Sequence, residues 1–187
     1  MQSPPSRRPL VPDPGHRIFQ LRLDRQLRAA RPALVELVKL WYLRRSDGPL
    51  PPRSAFDAQA LKAYLPHLFI SEYEPDTRRY RYRLIGTAVT ELFGRNVTGC
   101  YFDEIYCAPD LKDLRDIHDA ARLAGEPRTV SGRIGLFDRA RVSIEALMLP
   151  LAVSEGQNPQ ILGALYVAEE DDLRPQARAA IAISSAY

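Results

Sequence analysis

The sequence predicts an α+β domain in which a five-stranded antiparallel sheet has helices packed on its faces. Helix and strand candidates do not alternate in the βαβ order of a parallel sheet, and the links between consecutive strand candidates are short enough for hairpins. The clearest strand candidate, residues 79–87, places Tyr80, Tyr82 and Leu84 on one face and arginines on the other. This period of two indicates a strand with one buried and one solvated face.

Size and composition are those of one globular domain. The chain has 187 residues, of which 45% are hydrophobic and 26% charged, the usual balance for a folded domain with its own core. We find no apolar run of about 18 residues, so we predict no membrane span. The first residues lack the apolar stretch of a signal peptide, which predicts a cytoplasmic location. Two cysteines are too few for a disulfide framework.

The first predicted helix covers residues 32–46. Pro32 suits a first helical turn, and Asp47-Gly48 ends the helix. Its apolar side chains cover more than half of the circumference, whereas packing on one face needs only a stripe. We therefore expect this helix to bury two sides.

The remaining elements follow from turn residues and periodicity. A short helix begins at Ser54 or Asp57, runs through Tyr64 and is stopped by Pro66. Strands are predicted at 68–74, 79–87, 128–136, 141–151 and 161–168. Helical segments between them are predicted at 88–93, 102–106 and 109–123, and a terminal helix is predicted at 175–183.

Charge and proline content divide the chain into three parts. Seven arginines against two aspartates give residues 1–31 a net charge of +5, and five prolines lie within the first sixteen residues. We predict a basic Pro/Arg-rich arm over 1–31, a domain over 32–168, and a tail or short helix over 169–187. A solvated arm is the favoured interpretation. A nucleic-acid-associated adaptor is a less favoured alternative, because no aromatic residues interleave with the first arginines.

Local motifs match a known family. They are Trp41, Leu50-Pro51-Pro52-Arg53, Leu65-Pro66-His67-Leu68-Phe69, Tyr80 to Thr87, Glu91-Leu92-Phe93-Gly94-Arg95 and Thr98-Gly99. Together with the element order, they resemble a PAS domain over residues 32–168, and in particular a bacterial subgroup of compact, mostly single-domain PAS proteins. The strand, Gly-Thr, helix and Phe-Gly-Arg portion is the most specific part of this resemblance.

The resemblance implies a curved sheet with helices over one face and a small ligand between them. It also implies a sensory or protein-interaction role without catalysis. Because we expect no output domain after residue 168, the signal would leave through a partner protein. PAS-like domains commonly dimerise through the helix before the first strand. We therefore predict a homodimer, or alternatively a heteromer, whose interface contains Leu34, Leu37, Val38 and Trp41.

The predicted pocket centres on the helix at 109–123. His118 and Leu114 share the apolar face of this helix, which places His118 between helix and sheet. The residues predicted to line a mostly apolar cavity are Tyr82, Leu84, Phe93, Leu114, His118, Ile134 and Ile144.

His118 has three interpretations. It is a core histidine bonded to a backbone carbonyl, a polar contact for a ligand, or a haem ligand, since haem-sensing PAS domains place a histidine on a comparable helix. A haem sensor or a small enzyme that uses His118 is thus the alternative to a non-catalytic sensor, for which no cofactor is required. Covalent flavin chemistry is not supported, because Gly94-Arg95-Asn96 is followed by Val97. No metal-binding spacing is present in the sequence.

Overall fold

The computed structural model describes residues 19–24, 27–45, 48–135, 142–169 and 179–180. The strands are β1 (Phe19–Asp24), β2 (Arg28–Ala29), β3 (Leu68–Glu74), β4 (Arg79–Ile85), β5 (Arg128–Ile134), β6 (Val142–Pro150), β7 (Gln160–Val167) and β8 (Ala179–Ala180). The helices are α1 (Pro32–Leu43), α2 (Thr87–Phe93) and α3 (Ala108–Ala124). The main sheet is antiparallel with the order β1-β5-β6-β7-β3-β4, and β2 pairs with β8. The predicted α+β class is confirmed.

The main sheet has six strands, one more than predicted. The additional strand, β1, comes from the stretch assigned to the basic arm, and it pairs antiparallel with β5 from Phe19 opposite Ile134 to Asp24 opposite Thr129. Close approach of the two backbones depends on Gly132, where a Cβ would lie 1.9 Å from the carbonyl oxygen of Gln20. The arm boundary at residue 31 stays a prediction, and residues 1–18 lie outside the described part.

Two cores lie on the two faces of the sheet. The first fills the space between the sheet, α2 and α3. The second lies between the opposite face and α1, and also receives Phe56 and Leu61 from the segment before β3. Strand β6 contributes side chains to both cores, because successive side chains of a strand point to opposite faces of the sheet. Ile144, Ala146 and Met148 belong to the first core, whereas Leu147 and Leu149 belong to the second.

The predicted dimer interface requires a correction. The four side chains assigned to it are buried within their own chain, at 0%, 0%, 0% and 1% exposure for Leu34, Leu37, Val38 and Trp41. They pack in the second core, and the Trp41 indole donates a 2.8 Å hydrogen bond to the carbonyl oxygen of Pro150. Helix α1 is broadly apolar because it covers a sheet face and also meets the 50–64 segment.

A buried carboxylate holds the start of α1 against the sheet. Glu145 of β6 is 1% exposed, and its two oxygens accept hydrogen bonds from the backbone N–H groups of Ala30 and Arg31 at 2.9 and 3.0 Å. The Arg31 guanidinium donates to the carbonyl oxygen of Val167 at 2.7 Å and lies over the Tyr166 ring. Charge-assisted bonds of this kind are stronger than neutral ones, so α1 is fixed both at its apolar face and at the two residues that precede it.

Two predicted helices differ in the structure. The segment that ends at Tyr64 forms turns with a 3-10 helix at Arg53–Ala55, and a second 3-10 helix covers Leu65–His67. The described part of the predicted terminal helix, Ala179–Ala180, is a strand paired with β2, and its other residues lie outside the described part. No helix in the described ranges is both long and apolar enough to cross a bilayer.

Candidate functional site

A cavity of about 40 Å³ lies between α3 and the sheet. Its wall is apolar apart from one imidazole and two phenol groups. The lining residues are Leu21, Phe69, Tyr82, Val89, Phe93, Tyr106, Leu114, Ile117, His118, Val130, Ile134, Ile144, Ala146, Met148 and Leu165. A concave apolar wall with a few polar groups is the usual make-up of a small-molecule site.

Six of the seven predicted lining residues surround this cavity; the exception is Leu84, which is 36% exposed. The pairing of β3 with β4 shifts between Ile70 and Ser71, so Leu84 lies opposite Ile70 while Tyr82 lies opposite Ser71. The extra residue, Arg83, ends the alternation that placed Leu84 inside.

Several lining residues were missed by the sequence analysis. Ala146 and Met148 follow Ile144 at a period of two on β6, so the strand pattern was a sufficient signal for them. Phe69 lies on β3 directly opposite Gly163 of β7, where a Cβ would meet the Phe69 ring at 2.0 Å. The ring therefore rests on the glycine. Leu21 had no such signal, because its strand was assigned to the arm.

His118 is fully buried and has one free ring nitrogen. Its Nδ1 lies 2.8 Å from the carbonyl oxygen of Leu114, one turn earlier on α3, and since a carbonyl only accepts, Nδ1 carries the proton. Nε2 has no hydrogen-bond partner among the described residues. Burial lowers the pKa of His118 to about 4, although the Leu114 bond and nearby Asp119 act in the opposite direction. The imidazole is therefore neutral at pH 7, with Nε2 as an acceptor.

Folding stability is expected to fall between pH 6.5 and pH 4 because of His118. The unfolded histidine takes up a proton near pH 6.5, whereas the folded one resists until about pH 4, so acid favours the unfolded state in this window. The full effect is about 3 kcal/mol. Urea unfolding at several pH values would show it, and His118→Gln should lack this component. Parallel pH profiles of the two proteins would contradict the assignment.

Two tyrosine hydroxyls form the second polar feature of the wall. The hydroxyl oxygens of Tyr82 and Tyr106 lie 2.9 Å apart, and one donates to the other. Burial is the main reason that the pKa of each phenol is raised above its usual range. Both groups are therefore neutral at pH 7, and the cavity wall carries no charged side chain.

The carboxylate next to His118 in sequence has another partner. Asp119 accepts a 2.7 Å hydrogen bond from the Tyr80 hydroxyl and a 2.8 Å bond from Arg122, which also donates to Tyr80 at 3.0 Å. Asp119 is therefore bonded to Tyr80 of β4 and to Arg122, and no hydrogen bond joins it to Nε2 of His118. The acid–base pair needed by the enzyme alternative is therefore not formed by these two neighbours.

Large cofactors do not fit the cavity. On the measure by which one buried water needs about 10–15 Å³, a space of about 40 Å³ is far too small for a porphyrin or an isoalloxazine ring. The free Nε2 has the donor chemistry of a haem ligand, but the surrounding space does not match. Among the described residues there is no group of three or more His, Cys, Asp or Glu side chains that could hold a metal ion.

The sequence matches a known domain family. The family model for the PAS domain matches residues 29–166, well over half of the chain. The chain belongs to the PAS domain family. This PAS domain therefore has the fold of sensory and interaction domains, as its motifs indicated. No curated protein shows significant similarity to it.

Solved structures similar to this PAS domain are PAS and light-oxygen-voltage domains. One, described as "Flavin Analogue Sheds Light on Light-Oxygen-Voltage Domain Mechanism", has 17% identity and a TM-score of 0.43, over 60% of this chain and 84% of the other. The Drosophila melanogaster Cycle PAS-B domain with bound ethylene glycol has 17% identity and a TM-score of 0.40, over 54% and 99%. The Bordetella pertussis BvgS PAS domain has 18% identity and a TM-score of 0.39, over 61% and 89%.

Proposed function

We propose that this PAS domain is a non-catalytic sensor that binds a small molecule in the cavity between α3 and the sheet and signals through a protein partner. The observation that carries the proposal is the free Nε2 of His118 at the wall of an apolar cavity. A buried polar atom without a partner is destabilising by about 1–3 kcal/mol, and such atoms are rare in native proteins. A bound ligand that pairs with Nε2 removes that penalty.

Strand β6 could transmit ligand binding from the cavity to the opposite face of the sheet, because its side chains lie on both faces. Ile144 and Ala146 line the cavity, and Glu145 between them holds the two residues that precede α1. Because neighbouring residues of a strand point to opposite faces, a shift of β6 on ligand binding changes the position of the Glu145 carboxylate. The proposed output is therefore a change in how α1 is held. Self-association of the chain stays a prediction, and it would use residues other than the four buried on α1.

Occupancy of the cavity is tested by identifying small molecules released from the purified native protein by mass spectrometry. Ala146→Leu fills the cavity from β6, so we expect the released molecule to be lost while the fold is retained. Ala124→Leu adds the same atoms on the exposed end of α3, so we expect this control to release the same molecule as the wild type. Circular dichroism confirms that both variants are folded.

The same measurement defines failure. Equal release from wild type, Ala146→Leu and Ala124→Leu would mean that the molecule binds elsewhere. Met148→Ala enlarges the cavity without adding a polar group, and it should keep or widen the range of molecules released. If wild type and Met148→Ala release no molecule, and the methyl resonances of Ile144 also show no saturable change when either protein is titrated with small neutral molecules, the proposed function is contradicted.

A further inference from the structure

We propose that the cavity selects a small, neutral, mostly apolar molecule that donates one hydrogen bond to Nε2 of His118, which is the chemistry of a short-chain alcohol. The inference rests on the proposed function above, and it names the class of ligand that the same site takes.

The requirement for a donor follows from the hydrogen bonds of the imidazole. Nδ1 of His118 donates to the carbonyl oxygen of Leu114, so Nε2 carries a lone pair and no hydrogen. Only a ligand with an O–H or N–H group can satisfy this atom. A ketone or ether of the same shape offers only lone pairs, so it leaves Nε2 unpaired and places a second acceptor beside it.

The requirement for a neutral ligand follows from the cavity wall. All fifteen lining side chains are uncharged, because His118 stays neutral at pH 7 and the remaining polar members are the phenols Tyr82 and Tyr106. An ammonium or carboxylate group would lose its hydration without gaining a counter-charge, which is strongly unfavourable in an apolar space. The wall therefore rejects both cations and anions.

Size and polarity distinguish an alcohol from water. A space of about 40 Å³ holds about three to four water-sized groups at about 10–15 Å³ each. A buried water needs two to four polar partners. Here Nε2 is free, whereas the hydroxyls of Tyr82 and Tyr106 are bonded to each other. A molecule with one hydroxyl and a short alkyl body satisfies Nε2 with its donor and fills the remaining space with methyl groups.

The inference is tested by comparing 2-propanol with acetone, which have the same number of non-hydrogen atoms and nearly the same shape. The probe signal is the ¹⁵N resonance of His118 Nε2 in full-length protein with labelled histidine. We expect saturable shifts with 2-propanol and binding about fivefold weaker for acetone, the ratio that one ordinary hydrogen bond of about 1 kcal/mol produces. His118→Leu keeps an apolar wall without the acceptor, so both molecules should bind it alike, as followed by methyl resonances of Ile144 and Met148.

Each outcome separates the two proposals. Equal binding of 2-propanol and acetone to wild-type protein would overturn the donor inference and leave a ligand-binding cavity in place. Binding of neither molecule, to wild type or to the enlarged Met148→Ala cavity, would overturn both proposals.

If His118→Leu does not fold, His118→Gln serves as the second variant, because a rotatable amide donates as well as accepts and should reduce the preference for 2-propanol. An unchanged preference in that variant would contradict a role for Nε2. Ala146→Leu should abolish binding of both molecules.

Discussion

Replacing Leu37 with Glu is expected to lower the free energy of unfolding by about 4–5 kcal/mol, the range reached when a charge is buried without a partner. Leu37 of α1 is fully buried where this helix packs on the sheet. The substitution removes apolar contacts and places a carboxylate where water does not reach. Since native domains are stable by only about 5–15 kcal/mol, this loss removes between about a third and nearly all of the stability. Urea unfolding followed by circular dichroism measures the effect.

Leu43→Glu is the matched control on the same helix. Leu43 is 53% exposed at the last position of α1, so we expect a change within about 0.5 kcal/mol, as for most surface substitutions. The structure would be contradicted if the Leu37→Glu protein stays folded and light scattering shows a change from dimer to monomer. That result would mean that α1 packs on a second copy, as the sequence analysis predicted.

Gly86→Ala is expected to destabilise the domain by about 3 kcal/mol, the upper part of the usual range for overpacking. A Cβ at this position would lie 2.3 Å from the carbonyl oxygen of Leu65 and 2.4 Å from that of Pro66. Both are backbone atoms, so the rotation of a side chain cannot relieve the clash. The same glycine donates a 2.7 Å hydrogen bond to the Leu68 carbonyl, which ties the start of α2 to the start of β3. Thermal unfolding measures the loss.

Gly48→Ala is the control for this change. Gly48 is exposed, and apart from its neighbours in the chain no atom of the described residues lies within 4 Å of the position that its Cβ would occupy. We expect its unfolding midpoint to match the wild type, or to rise slightly because alanine restricts the unfolded chain. Equal midpoints for Gly86→Ala and Gly48→Ala would show that the 65–67 turn moves aside easily, against the close packing seen in the structure.

Elements with local signals were predicted closely from the sequence. Strand β3 has the predicted bounds, 68–74. Helix α3 covers 108–124, against 109–123 in the prediction, because Pro109 suits its first turn and Gly125 ends it in a left-handed conformation. Such signals lie within a few residues of the element they define. They do not depend on what packs against it.

Elements defined by distant partners were not predicted. Strand β1 is a strand because β5 pairs with it and Gly132 leaves room for its backbone. The described part of β8 pairs with β2, more than a hundred residues earlier, instead of forming a helix. The irregularity opposite Ile70 and Ser71 exposes Leu84, which plain alternation had placed inside.

The sequence by itself determined the order of elements from β3 to β7, the PAS resemblance and the position of His118 on the apolar face of α3. The periodicity of apolar residues predicts which sides of a helix are apolar, but it does not predict which part of the protein packs on them. Only the tertiary structure placed α1 on its own sheet, where Glu145 holds the two residues that precede the helix. It also decided that Nε2 of His118 is free and that the cavity is small, because hydrogen-bond partners and empty space depend on residues far apart in the chain.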